Sequence, residues 1–293
     1  MFISKVKTFC LLMLCLTLIG CGKSETVENV DEFSVEVIQN NKTEEERLNS
    51  IEVEVKNLRD YTWEEIGELS KQVQNGEISR DELEAKICIG EVKDGCILVD
   101  FGTQKDNYGG FVFITTSQHM ANMCTTCNGE HCKKKNHDEN LGTSLGGYAQ
   151  TDNFKFLKSE IKNKKELDKD LFKEINIKYN DDPTVMVAND VSVLEKQNVF
   201  IPSAYELGYR TSISKYNKAD GIEFDIVKDY NYNDACEIRM SIFERLGNVT
   251  EPMWLRTVSL KTENMFYAAT PYDGDVAAYD ASEEHIVLIG FVL

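Results

Sequence analysis

The chain has 293 residues, of which 32 are basic and 50 are acidic, and its formal net charge is −18 at pH 7. Such an acidic surface repels phosphate backbones, so the composition argues against a nucleic-acid-binding protein. Hydrophobic residues make up 42% of the chain, which is enough for one large domain or two small ones.

The N-terminus has the pattern of an export signal. Two lysines precede an apolar run from Phe9 to Ile19, which is shorter than the roughly 20 residues that a membrane-spanning helix needs. The run ends in Leu18-Ile19-Gly20-Cys21, which resembles the lipobox of bacterial lipoproteins. That resemblance implies a signal peptide at 1–20, a lipid on Cys21, and attachment to the cell membrane on its extracellular side. The alternative is an ordinary secretory signal with an incidental cysteine.

Three segments follow the signal. Residues 21–42 are polar and acidic with few aromatics, which is typical of a disordered tether. Apolar residues at three- and four-residue spacing predict an amphipathic helix at 43–60, either as a stalk or packed on the domain. The remaining residues, 61–293, are predicted to form one domain. Thr62 and Ser79 are each followed three residues later by Glu, so each predicts the start of a helix.

The remainder of the chain reads as short strands with a few helices. Further helices are predicted at 154–161, 167–175 and 203–207. Strands are predicted at 96–101, 111–115, 184–188, 199–201, 253–259, 266–270, 276–279 and 286–293. Helices early and short strands late indicate an α+β fold.

A cysteine-rich loop contains the sharpest cluster of chemical groups. The spacing Cys124-x2-Cys127-x4-Cys132-x4-His137 supplies three sulfurs and one imidazole, which can close a tetrahedral structural zinc site. Export favours disulfides instead, and six cysteines remain once the signal is removed and Cys21 is lipidated. Zinc, local disulfides and free thiols all stay open for this loop.

One further disulfide is suggested by the order of elements. Cys88 and Cys96 flank the start of the predicted sheet. Export of the chain favours a disulfide between them.

Two regions carry candidate ligand-binding residues. Trp254 and Arg256 lie in a strand-like run, where alternation places both on one face. There they could stack on and hydrogen-bond a sugar or peptide; the alternative is a core tryptophan with an arginine that supports a loop. Tyr230 and Tyr232 lie among the acidic residues Asp225, Asp229 and Asp234, and Asp273 lies in the similar acidic segment Asp273-Gly274-Asp275. These segments could form a ligand or calcium loop; the alternative, which the missing EF-hand spacing favours, is a solvated turn.

The sequence lacks the G-x-S-x-G, H-E-x-x-H and P-loop motifs. Their absence favours a non-catalytic protein over an enzyme. The alternative is a cell-envelope enzyme, or a metal-dependent protein, that uses the cluster from Cys124 to His137.

The order of several short motifs resembles an uncharacterised domain family of exported Gram-positive lipoproteins. The motifs are Thr62-Trp63-Glu64-Glu65-Ile66, Ile89-Gly90-Glu91, Gly146-Gly147-Tyr148, Phe200-Ile201-Pro202-Ser203, Trp254-Leu255-Arg256-Thr257, Tyr272-Asp273-Gly274 and Gly290-Phe291. They span residues 60–293. The family looks like a branch of the C-type-lectin-like fold, alongside the formylglycine-generating enzymes and the variable receptors made by diversity-generating retroelements.

The resemblance implies a twisted, mostly antiparallel sheet with two flanking helices and long loops near a binding face. Two departures matter: the terminal strand lacks the family's proline, and the segment Cys124–Cys132 looks like an insertion. The expected function is a membrane-anchored, extracellular module that binds a glycan or a protein. A structural envelope protein is a further alternative.

Overall fold

The computed structural model describes residues 57–104, 108–124, 144, 147–151, 153–181, 191–209, 220–247, 249–259 and 264–293. Val55–Leu293 form one compact unit. The predicted signal peptide, Cys21, the tether and most of the predicted amphipathic helix lie outside the described residues, as does the predicted strand at 184–188.

Within the described residues the fold is α+β, with four α-helices and ten strands. The helices are α1 (Trp63–Gln74), α2 (Arg80–Glu84), α3 (Asn153–Asn163) and α4 (Tyr232–Arg245). The strands are β1 (Val92–Lys93), β2 (Cys96–Asp100), β3 (Val112–Ala121), β4 (Ile175–Tyr179), β5 (Ser192–Gln197), β6 (Val199–Phe200), β7 (Met253–Val258), β8 (Met265–Thr270), β9 (Asp275–Asp280) and β10 (His285–Val292). Short 3₁₀ turns occur at Leu58–Asp60, Tyr148–Gln150 and Lys169–Leu171.

Eight strands form one mixed sheet in the order β1-β2-β3-β10-β7-β8-β9, and β6 also pairs with β10. The pairing of β10 with β7 is parallel, and the other pairs are antiparallel. One edge of β10 is shared: Ile286 and Val287 pair with β7, whereas Gly290 and Phe291 pair with β6. Strands β4 and β5 form a separate hairpin.

The C-terminal strand β10 is central because its residues are apolar on both faces, as a strand covered on both sides requires. Gly290 is needed there: the Phe200 ring packs against it so closely that any Cβ would overlap the ring. Helix α1 begins at the predicted Thr62 cap, whose hydroxyl accepts a hydrogen bond from the Glu65 N–H. Its Ser70 hydroxyl donates to the carbonyl of Leu293 at 2.6 Å, which fastens the end of the chain to the helix.

Both capping-box helices, α3 and the four C-terminal strands are confirmed to within a few residues. The predicted helix at 167–175 is wrong. Asp168 caps only a 3₁₀ turn, and the chain then enters β4. The sequence Ile-Asn-Ile-Lys-Tyr alternates buried and exposed residues, which is the period of a strand.

Two other segments differ from the sequence-based expectations. Residues 204–208 form a turn and not the helix predicted at 203–207, although Ser203 and Glu206 exchange hydrogen bonds like those of a helix cap. Helix α4 is absent from the prediction because a buried charged residue, Arg239, interrupts its apolar stripe.

Candidate functional site

The predicted binding residues Trp254 and Arg256 are fully buried in β7. The indole Nε1 of Trp254 donates to the Ala121 carbonyl at 2.7 Å, and its ring lies edge-on to His285 at 4.8 Å. Burial leaves neither Trp254 nor Arg256 surface for stacking on a ligand in this conformation. Both residues are therefore core residues, as in the alternative of a core tryptophan with an arginine that supports a loop.

Arg256 is the centre of a buried polar network. Its two terminal nitrogens lie 2.6 Å from the two carboxylate oxygens of Glu206, and neither side chain is exposed. The guanidinium also donates to the carbonyls of Lys178, Ile201 and Asp220. These contacts tie β7 to β4 at Lys178, to the chain after β6 at Ile201, and to the segment that holds Asp220. Such contacts are expected for an arginine that supports loops.

The other three predicted binding residues, Tyr230, Tyr232 and Asp273, lie on two surface segments that contact each other through α4 and Gly274. Asn231 caps α4 by accepting the Asp234 N–H at 3.0 Å, so Tyr230 and Tyr232 flank the start of the helix. Asp273 lies in the turn between β8 and β9, where its carboxylate accepts the Thr270 hydroxyl at 2.5 Å. The helix start and this turn are in contact.

Arg239 of α4 holds the turn against the helix. Its Nε donates to the Gly274 carbonyl at 2.5 Å, and its NH1 donates to the Leu207 carbonyl at 3.1 Å. Gly274 has a φ of +66° and lies against the backbone of Cys236, so only a residue without a Cβ fits there. The contact fixes the turn relative to α4.

Three exposed tyrosines and two aspartates lie on the two segments that meet at this junction, and we call the set the tyrosine–aspartate surface. Its members are Tyr230, Tyr232, Tyr272, Asp273 and Asp275. Tyr272 is 74% exposed, and Tyr230 and Tyr232 are each 37% exposed. Partial burial, followed by hydrogen bonding to Asp275, raises the pKa of Tyr232 above its ordinary value.

This arrangement is suited to binding and not to covalent chemistry. Aromatic faces stack on the C–H faces of sugars or on cationic side chains, and neighbouring carboxylates accept hydrogen bonds from hydroxyl or amine groups. Sequence reasoning placed Tyr272 and Asp275 in weak motifs without singling them out, because their exposure depends on how the β8–β9 turn packs on α4.

The cysteine predictions have mixed outcomes. Cys96 carries a free, buried thiol, so the predicted Cys88–Cys96 disulfide is not formed; Cys96 instead occupies a core position in β2. Cys124 is buried, whereas Cys127, Cys132 and His137 lie outside the described residues. Zinc or disulfides in that loop stay predictions.

Among the described residues, no group of three or more His, Cys, Asp or Glu side chains is arranged to hold a metal ion. Asp225, part of the suggested calcium segment, instead pairs with Arg80 at 3.2 Å. Calcium at the remaining acidic positions stays a prediction.

In the part of the chain that the structure describes, no helix is both long and apolar enough to cross a membrane. No family model matches the chain, and comparison with curated proteins and with solved structures likewise finds no match.

Proposed function

We propose that this chain is a lipid-anchored extracellular binding module whose tyrosine–aspartate surface holds a neutral glycan. The observation that carries the proposal is the exposure of three tyrosines, one of them hydrogen-bonded to Asp275, on two segments that Arg239 and Gly274 hold together. Side chains that stack on sugar rings and accept hydrogen bonds from hydroxyls are thus already positioned before a ligand arrives.

Charge favours a neutral glycan over an acidic polymer. From Cys21 onward the chain carries 30 basic and 50 acidic residues, and Asp273 and Asp275 lie within the surface itself. An acidic surface repels phosphate- or carboxylate-bearing polymers, whereas neutral sugars experience no such repulsion. A protein ligand with a basic patch is the second ligand class that this surface suits.

We place the domain in the C-type-lectin-like fold as part of the same proposal. Support comes from a largely antiparallel sheet with the C-terminal strand at its centre. Three of the resembling motifs also meet: the Trp63 ring lies 6.0 Å from the Phe291 ring, and Gly290 pairs with Phe200.

Glycan binding is tested with the full chain purified in a non-ionic detergent and applied to an array of neutral and acidic glycans. The Tyr230→Ala/Tyr272→Ala variant is expected to lose at least tenfold in affinity for any glycan bound by the wild type. Val193→Ala is the matched control, since Val193 is 48% exposed on the separate β4–β5 hairpin. Equal loss in both variants, or no neutral glycan bound by the wild type, would reject the proposal.

Lipid anchoring is tested separately. Cys21→Ala is expected to abolish incorporation of a labelled fatty acid. The variant should then accumulate as unlipidated precursor or appear in the soluble fraction. Incorporation that persists in Cys21→Ala would show that the lipid is attached elsewhere or that the lipobox is incidental.

A further inference from the structure

A polar cleft of about 430 Å³ opens beside the β4–β5 hairpin. One wall comes from β4 and the residue before it, and the other comes from the loops that lead to the buried Arg256. The polar lining residues are Glu174, Asn176, Lys178, Tyr108, Glu206 and Asp220. None of them belongs to the tyrosine–aspartate surface, so the cleft is separate from the proposed glycan site.

The Glu206 carboxylate in this cleft is already satisfied. Both of its oxygens accept from Arg256 at 2.6 Å. One oxygen also accepts from the Ser203 N–H at 2.9 Å, and the other accepts from the Tyr108 hydroxyl. The charges of Glu206 and Arg256 therefore balance each other, and neither needs a ligand.

Asp220 is different, because part of its carboxyl group has no partner. The residue is fully buried. Its Oδ2 accepts from the Thr257 hydroxyl at 3.2 Å, and the Asn180 backbone N–H also stabilises the ionised carboxyl. Its Oδ1 is buried without a hydrogen-bond partner. A buried polar atom without a partner destabilises a fold by about 1–3 kcal/mol, and such an atom beside a cleft invites a ligand that donates a hydrogen bond.

We propose that this cleft binds the ammonium group of a small ligand, with Asp220 Oδ1 as the deep acceptor and the Glu174 carboxylate at the rim. The inference goes beyond the proposed glycan binding and does not depend on it. Among the described residues that line the cleft, the carboxyl and amino groups without an ion-pair partner are those of Asp220, Glu174 and Lys178. Both carboxylates attract a cation, and an ammonium group supplies the donor that Asp220 lacks.

The electrostatics of Asp220 couple this binding to the release of a proton. Burial raises the pKa of Asp220 to about 7, and the nearby Glu206 charge acts in the same direction while Arg256 and Thr257 oppose it. Tyr108, Glu174 and Lys178 are the remaining titratable groups of the cleft. An ammonium group favours the ionised carboxyl, so its binding near pH 7 displaces a proton and strengthens as the pH rises.

The test uses the full chain in a non-ionic detergent and calorimetric titration with putrescine. The neutral analogue 1,4-butanediol has the same carbon chain and hydroxyls in place of the ammonium groups, so it isolates the contribution of charge. Titration in two buffers of different ionisation enthalpy at pH 7 counts the protons released. Asp220→Asn removes the charge at nearly constant shape, and Glu174→Gln does the same at the rim.

We expect putrescine to bind at least tenfold more tightly than 1,4-butanediol, with proton release and with affinity that increases from pH 5.5 to pH 8. Asp220→Asn should lose at least tenfold in affinity and all proton release, and Glu174→Gln should lose less. Equal binding of both ligands, unchanged binding in Asp220→Asn, or no putrescine binding would overturn the inference. If Asp220→Asn does not fold, the pH dependence of the wild type decides, and a flat profile rejects the inference.

Discussion

Arg256 on β7 and Glu206 in the turn after β6 form a two-pronged ion pair with both N–O distances at 2.6 Å and neither side chain exposed. The pair joins residues 50 positions apart in the chain. Burying two charges is unfavourable unless each is fully hydrogen-bonded, so removing one partner leaves the other charge uncompensated. The pair therefore couples the stability of β7 to that of the turn that contains Glu206.

Replacing Arg256 with methionine is expected to lower the free energy of unfolding by about 3–5 kcal/mol, because Glu206 is left as an unpaired buried charge. Urea denaturation measures the change. The Arg256→Met/Glu206→Gln double variant should lose less than the sum of the two single variants. Strictly additive losses would show that the two side chains do not stabilise the fold as a pair.

The same pair shows where sequence reasoning succeeds and where it ends. The β-rich run from 253 to 259 correctly predicted a strand at residues 254 and 256. The alternative of a core role, and not the binding role, describes their buried positions. Their burial depends on partners such as Glu206 and Asp220, which are distant in sequence. Pairing over such separations leaves no periodic signal within the strand.

Local signals were the most reliable. The capping boxes at Thr62 and Ser79 involve residues three positions apart, and both predicted helices form. Helix α4 lacks a clear apolar stripe because Arg239 occupies a buried position and finds its acceptors in other segments, at Leu207 and Gly274. The tyrosine–aspartate surface depends on that same docking, so its members could be suggested individually but not assembled.

Asp220 is expected to make stability depend on pH. Because its pKa is raised to about 7 in the folded protein, the unfolded chain ionises this carboxyl first as the pH rises from about 4. The unfolded state then binds fewer protons, so the free energy of unfolding falls between about pH 4 and pH 7. Asp220→Asn should remove this fall and gain up to about 4 kcal/mol relative to the wild type between pH 4 and pH 8.

Denaturation of both proteins across this pH range checks the Asp220 prediction. Glu237→Gln is the control, because Glu237 is exposed on α4 and its replacement should leave the shape of the profile unchanged. Parallel profiles for the wild type and Asp220→Asn would contradict a raised pKa at this site.

Gly274→Ala is expected to detach the β8–β9 turn from α4. An alanine at this position would have to adopt a positive φ, and its Cβ would also overlap the Cys236 backbone. Gly76→Ala is the matched control, since Gly76 has a φ of +72° with nothing within 4 Å of the added Cβ. The control should lose about 1–2 kcal/mol of stability from backbone strain alone, and Gly274→Ala should lose clearly more.

A glycan-binding assay on the same two glycine variants separates stability from function. If the tyrosine–aspartate surface needs the turn in place, Gly274→Ala should weaken binding under conditions where both variants are folded, and Gly76→Ala should not. Equal stability losses in the two variants would show that the turn can shift without cost.

Cysteine reactivity is expected to differ sharply between Cys88 and Cys96. Cys96 is fully buried, and burial raises the pKa of its thiol to about 12, so almost none of it is the reactive thiolate at pH 8. Cys88 is exposed. Iodoacetamide at pH 8, followed by peptide mass spectrometry, should modify Cys88 in the native protein and Cys96 only after denaturation. Cys88→Ser is the control for assigning the labelled peptide, and a Cys88–Cys96 disulfide peptide in the unreduced protein would contradict the position of Cys96 in the core.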